Sequence, residues 1–325
     1  MYNNIRLEKS LYSITGKTFT QALAELDPDS AYENTELKGL DAFERQLKRF
    51  DIHVSGSDCD RVDKFFMSAE SAVLFPEFVR RSIKKGMDDA NIAGKICAAT
   101  SYTDSADFRG LTVTKTGTTD AVTEGSDMPV TKVRLSSTAS ALTKYARKLS
   151  CSYESIKKQR IESFAVILRS LGATIAKDVN GLCMSKISQS VTPSEIAGTA
   201  IKFSDLVTFW GTMTDHDMDV MVCTPATMAS ILSMDEMKGC TTEFVDKGMV
   251  KTPFGVTLIK CSQLTSDKII GVDSSCAAEM VFGTDVVVDF DKLLSSQCEE
   301  ISCSVTVGFS VLTAGAVKVL TVSDE

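Results

Sequence analysis

Apolar positions change their period several times along the chain, and each change marks an element. The longest regular stretch lies between Tyr145 and Met184. Leu149, Cys151 and Tyr153 alternate there, as one face of a half-buried strand does. From Ile156 the apolar residues are Ile156, Ile161, Phe164, Leu168, Leu171, Ile175, Val179 and Leu182, mostly three or four apart. That spacing holds one stripe on a helix of about eight turns, roughly 40–45 Å long at 1.5 Å per residue. No proline interrupts it, and Gly172 is an interior weak point. A helix this long reads as a spine, with Ile161, Phe164, Leu168, Leu171 and Ile175 facing a core.

Upstream the pattern is less regular. Residues 1 to about 60 are charge-rich and broken at Asp27-Pro28. Leu37, Leu40, Phe43, Leu47 and Phe50 fall at helical spacing on a segment too short to be stable alone. Its stripe docks on its own domain, on the body of the chain or on another subunit. Residues 68–98 predict a second helical region, with Pro76 early in it and Arg80, Arg81, Lys84 and Lys85 as a solvated basic face. Residues 100–143 are rich in Ser, Thr, Gly and Asp. Leu111-Thr-Val113 and Val133-Arg-Leu135 predict two strands, with turn material at Lys115-Thr-Gly117 and Glu124–Pro129. This two-stranded excursion has few large apolar residues, and an isolated hairpin is marginal in water. It therefore needs a partner surface and is expected to lie across another molecule.

Beyond the spine, helical and strand patterns mix. Ser194–Met213 predicts a helix carrying Phe203, Leu206, Phe209 and Trp210, and Asp219–Cys223 a buried strand. Thr224 as cap and Pro225 at the first helical position open a helix through Met228, Ile231 and Leu232. Strand patterns follow at 255–261, 268–273, 279–283 and 285–289, and two more, at 301–310 and 316–322, close the chain. The fold class is α+β, without an internal repeat.

Composition removes several classes of function. A chain of 325 residues suffices for two domains. No apolar run approaches the eighteen or so residues that cross a bilayer, and MYNNIRLEKS lacks an apolar signal core. Ten cysteines without a C-x-x-C read as reduced thiols, and two histidines argue against structural zinc. A net charge of −8 opposes tight nucleic-acid binding, which draws on phosphate neutralisation.

Candidate chemistry is sparse. Gly16-Lys17-Thr18 looks like the end of a phosphate-cradling loop, but Leu11 stands where its first glycine belongs and no strand precedes it. Asp215-His216-Asp217-Met-Asp219 groups oxygen and nitrogen ligands, yet Val220 replaces the calcium-loop glycine. It reads as a polar loop before a buried strand. Cys298 and Cys303 read as buried thiols. No catalytic, cofactor-binding or metal-ligating residue is assigned, and an enzyme is not expected.

Several short motifs occur in a telling order. They are Leu74-Phe-Pro-Glu-Phe-Val79, Thr123-Glu-Gly-Ser-Asp-Met-Pro129, Lys144-Tyr-Ala with Leu149-Ser-Cys-Ser152, Ala176-Lys-Asp178, Val222-Cys-Thr-Pro225 and Gly255-Val-Thr-Leu. In that order they resemble the major capsid proteins of tailed bacteriophages, whose fold is shared by encapsulin shells. The resemblance covers about residues 70–322. It implies an N-terminal arm or scaffold-like segment at 1–67, a peripheral domain at 68–99 and 141–190 with the spine helix, and an extended loop at 100–140. An α/β axial domain at 191–300 and C-terminal strands at 301–325 would complete the fold. Arg109, Leu111, Val113, Lys115, Glu124, Met128 and Arg134 of the loop would touch a neighbouring subunit.

The implied protein is a structural shell protein of hexamers and pentamers, in the virion capsid and assembled in the bacterial host cytoplasm. Its partners would be further copies of itself, portal and scaffold or protease functions, a decoration protein, and packaged double-stranded DNA in weak non-specific contact, with no membrane. An encapsulin-type nanocompartment shell is the alternative, and a soluble α/β enzyme with an unrecognised site a third. Some relatives weld subunits through a lysine–asparagine bond. Lys115 sits where a loop lysine would, but none of Asn3, Asn4, Asn34, Asn91 and Asn180 is an evident partner, so no crosslink is expected. No cleavage signal for an N-terminal segment is evident either.

Overall fold

The computed structural model describes residues 2–322 apart from 106, 117–120, 197–199, 240–243, 247 and 266–267. It divides into two compact units. The first holds Met1–Asp89, Ala146–Thr174 and Val286–Ser304, the second Ala90–Tyr145, Ile175–Asp285 and Val305–Glu325.

The first unit begins with two short helices, α1 (Phe19–Leu26) and α2 (Ala42–Arg49). Each starts at a reciprocal cap: Thr18 with Gln21, and Asp41 with Glu44. The cap at Asp41 places Leu37 and Leu40 before the helix, not on it as their spacing predicts. Residues 19–49 hold a buried ion pair, Arg45 Nε to Asp27 Oδ2 at 2.6 Å, and the Arg45 guanidinium lies 4.3 Å from the Tyr32 ring centroid. Tyr32 donates its hydroxyl to the same Asp27.

Next come α3 (Ala69–Ala72) and α4 (Leu74–Ala90). Pro76 sits in the first turn of α4, where its missing N–H costs no helical bond. The solvated basic face expected here is in part a buried clamp. Glu77 is buried, and both Arg80 and Arg81 turn onto its carboxylate at 2.8 Å. Arg81 also reaches Asp41 at 2.6 Å and covers the Phe43 ring. Phe65, Phe75, Phe78 and Phe164 supply the aromatic core of this unit.

Strand β6 (Thr143–Ser152) leads to a short α5 (Tyr153–Lys158) and then α6 (Ile161–Gln189). The spine is therefore two helices, and Tyr153 is helical where alternation predicted strand. Ser152 stops the strand by capping α5. Gln159 is extended, Arg160 bridges to Arg61, and the Ile161 N–H donates to the Asp60 carbonyl. A helix cannot run through a residue whose backbone pairs as a strand. The 29 residues of α6 span about 43 Å. Gly172 is not its weak point but its point of closest approach: a Cβ there would lie 2.0 Å from the Ile83 carbonyl oxygen of α4. Gly86 of α4 has the same relation to the Arg169 carbonyl of α6. Two glycines thus let the helix backbones touch.

In the second unit, β1 (Ala99–Tyr102), β2 (Asp107–Phe108), β3 (Leu111–Thr116), β4 (Val130–Leu135) and β5 (Ser140–Ala141) precede β6. After α6 come β7 (Ser194–Glu195), α7 (Phe203–Gly211), β8 (Val220–Cys223), α8 (Pro225–Leu232) and α9 (Asp235–Lys238). The remaining strands of this unit are β9 (Phe244–Asp246), β10 (Met249–Lys251), β11 (Thr257–Lys260), β12 (Lys268–Val272) and β15 (Val317–Thr321), while β13 (Ala278–Leu293) and β14 (Cys298–Val311) each belong in part to the first unit.

Seven strands form one sheet in the order β7-β15-β12-β8-β11-β10-β9, and four form another in the order β1-β13-β14-β6. Every residue of β8 is buried, and it pairs antiparallel with β12 and parallel with β11. A central strand of this kind reads as a continuous apolar run. Leu206 and Phe209 of α7 and Met228 and Ile231 of α8 complete the core against Met221, Leu258 and Ile269 of the sheet. Thr224 and Pro225 start α8 as predicted. Ser194 and Glu195 are not helical: they pair with Leu320 and Thr321 at the sheet edge, and the helix begins only at Phe203. The two strands predicted at 279–283 and 285–289 are one strand of 16 residues.

Candidate assembly surface

Strands β3 and β4 pair antiparallel, with Leu111 opposite Leu135 and Val113 opposite Val133. Side chains two apart share a face. These four therefore form one apolar stripe, and it is bare: they are 44%, 66%, 39% and 58% exposed. Val122, Met128 and Val130 are exposed as well. The hairpin thus carries more large apolar surface than its polar composition suggests. Arg134 pairs with Thr112, whose hydroxyl donates to the Arg134 carbonyl at 3.1 Å. Lys115 is in register with Thr131, and its side chain lies outside the described residues, as do residues 117–120 of the predicted turn.

The hairpin is tied down at its base. Arg109 donates to the Ser136 and Ser137 carbonyls, and β2 pairs with β5. A Cβ on Gly110 would sit 1.7 Å from the Ser310 hydroxyl, and one on Gly308 would sit 2.8 Å from both Phe108 and Leu142. Glycine at 110 and 308 lets the base lie flush against β14. Glu124 and Met128 are exposed on residues 121–129, where Gly125 takes φ of +84° and Ser126 bonds back to Thr123.

On α6, Ile161, Phe164, Leu168 and Ile175 are 0–1% exposed, whereas Leu171 is half-buried. Asn180 is buried and bonded at both ends of its amide: its carbonyl accepts from the Ile92 and Ala93 N–H groups, and its amide nitrogen donates to the Ala90 carbonyl. Breaking that bridge would take the Asn180 partner from the Ile92 N–H and the Ala90 carbonyl, whereas the Ala93 N–H also donates to Asn91 Oδ1, a poor arrangement for a crosslinking partner.

The residues weighed for chemistry have structural employment. The Thr18 hydroxyl caps α1. Burial pushes the Cys223 and Cys303 thiols up to about 12, so they stay protonated and unreactive at neutral pH. The acidic loop before β8 does more than the sequence shows. Because β8 and β12 are neighbours, Asp219 comes to accept from the Ser274 N–H, and His216 comes beside Asp273 and Cys276. Burial disfavours the charged Asp273 carboxylate, but hydrogen bonds from Ser275, the Asp217 N–H and the Cys276 thiol outweigh it and hold the carboxyl below its usual range. Asp273 and Cys276 lie too far along the chain from His216 for any motif to flag them. Among the described residues no helix is long and apolar enough to cross a membrane.

Residues 135–292 match the model of a family described as phage capsid protein. No curated protein matches the chain. Solved structures do. The virus-like particle from Pyrococcus furiosus is 13% identical with a TM-score of 0.55, the match covering 76% of this chain and 99% of that one. The capsid of a native GTA particle is 10% identical with a TM-score of 0.51, over 70% and 88%. Mycobacterium phage Adephagia is 13% identical with a TM-score of 0.50, over 71% and 90%. At these identities the likeness is one of fold. The chain carries the fold of the tailed-phage capsid proteins, and its residues 135–292 match the phage capsid protein family.

Proposed function

We propose that the chain is the major shell protein of a tailed-phage head, assembling into hexamers and pentamers that enclose double-stranded DNA. The observation that carries this is the bare apolar stripe Leu111, Val113, Val133 and Leu135 on a hairpin anchored at its base. Such a stripe is costly in water unless a second molecule covers it. In this reading the stripe, with Arg109, Lys115, Glu124, Met128 and Arg134, grips the neighbouring copy. The peripheral domain is 68–99 with 141–190 and the C-terminal strands 301–325, the extended loop 100–140, the axial domain 191–300, and 1–67 an N-terminal arm or scaffold-like segment. Assembly takes place in the host cytoplasm with portal, scaffold or protease functions and a decoration protein as partners. The chain's acidity leaves packaged DNA in weak, sliding contact. The role is structural and not enzymatic.

The test is electron microscopy of purified full-length protein beside a V113S/V133S double variant. The native protein is expected as closed particles with hexamers and pentamers. The variant is expected to melt like the native protein but to form particles only at a higher concentration. A native protein found only as monomer or dimer would sink the proposal. An encapsulin-type nanocompartment is the second reading, favoured by the likeness to the virus-like particle from Pyrococcus furiosus. Particles filled with enzyme and free of DNA would select it.

A further inference from the structure

We propose that His216, Asp273 and Cys276 form a three-ligand site for a divalent cation of the zinc class. Their ligand atoms all lie within 4.8 Å of one another. A tetrahedral ion with bonds of about 2.0 Å to nitrogen, 2.1 Å to oxygen and 2.3 Å to sulfur sets N···S near 3.5 Å and N···O near 3.4 Å. His216 Nδ1 stands 3.5 Å from Cys276 Sγ and 3.8 Å from Asp273 Oδ2. The carboxylate and the thiol lie within 4.8 Å of each other against about 3.6 Å in an ideal tetrahedron, so the carboxylate moves inward when the ion binds. Both partners face the same ring nitrogen. A nucleophile–base–carboxylate relay needs them on opposite nitrogens, so the geometry favours convergence on an ion over catalysis.

The surroundings hold the ligands in place. Asp273 Oδ1 accepts from the Ser275 N–H at 3.1 Å and the Ser275 hydroxyl at 2.5 Å, and Oδ2 accepts from the Asp217 N–H at 3.3 Å. The far edge of the imidazole lies over Gly315, where a Cβ would be 3.3 Å from Cδ2. Outer contacts of this kind fix ligand orientation in metal sites. A thiolate beside an imidazole selects zinc or cobalt over calcium and magnesium. The ion would join residue 216 to residues 273–276, with water in the fourth position. Binding would release the thiol proton to solvent.

Cobalt titration of the full chain tests this, because a bound thiolate gives cobalt a charge-transfer band. One equivalent per chain is expected in the native protein, with the band displaced by zinc. C276S and H216Q are expected to lose it, and S275A to weaken uptake about 10–100-fold. Melting in chelator checks that the variants fold. Should one fail to fold, X-ray absorption of the native protein decides: one sulfur with nitrogen and oxygen neighbours supports the site, and two or more sulfurs, or none, overturns it. Failure of native uptake, or an undiminished band in C276S, also overturns it, because other cysteines would then be responsible.

Discussion

At Gly172 two effects of opposite sign compete, and the distances decide between them. Alanine in an exposed helix interior is better than glycine by about 1 kcal/mol. Here its Cβ would meet the Ile83 carbonyl at 2.0 Å, and a backbone atom cannot swing aside. G172A is therefore expected to destabilise by about 1–3 kcal/mol, read by urea denaturation. Glu77 gives a second test. Its carboxylate is buried yet held below its usual range, because Arg80, Thr20 and Arg81 outweigh the cost of burial. A lowered pKa contributes stability above the unfolded value, about pH 4.3, and loses it as pH falls below that toward the folded value. E77Q is expected to cost about 3 kcal/mol at neutral pH by removing the buried charge on which Arg80 and Arg81 converge, although Arg81 keeps its pairing with Asp41. Its stability should then fall less than the native protein's between neutral pH and pH 3. An acid limb as steep as that of the native protein would mean that other carboxylates dominate.

Elements differ in how far their sequence speaks for them. Helix α6 was legible because Ile161, Phe164, Leu168 and Ile175 repeat its period, and these residues are buried. Leu171 shares the period but lies at the edge of the stripe, half-buried. L168D is accordingly expected to abolish folding, and L171D to lower the melting temperature while leaving a folded chain by circular dichroism. The break at Gln159 and Arg160 was not legible, because its cause is a pairing with Arg61 far along the chain. Ser194 and Glu195 were misread for the same reason: a sheet edge supplied by β15 overrides a local helical pattern. The hairpin β3–β4 could be read at its strands, where valine and leucine alternate with polar residues, but its exposed apolar face could not. Alternation shows which residues share a face and not what covers it. The His216 cluster was hidden more completely, since it exists only because β8 lies beside β12.

For the whole molecule, net charge and the bare stripe act on association in opposite directions. Each chain carries −8, so copies approaching one another repel over about 10 Å at 0.1 M salt and over about 3 Å at 1 M. Contact between apolar stripes is not weakened by that screening. Multivalency in a closed lattice lets individually weak contacts add, so a modest change in each contact moves the assembly threshold strongly. The threshold concentration for particle formation, followed by light scattering, is expected to fall as sodium chloride rises from about 0.1 to about 1 M. A threshold that rises with salt would instead place attractive ion pairs in control. Lys132 and Arg134, exposed on β4, would then be the cations to neutralise first. V113S/V133S separates the two terms: it should raise the threshold at every salt concentration while leaving the slope with salt unchanged, because it removes apolar contact and no charge.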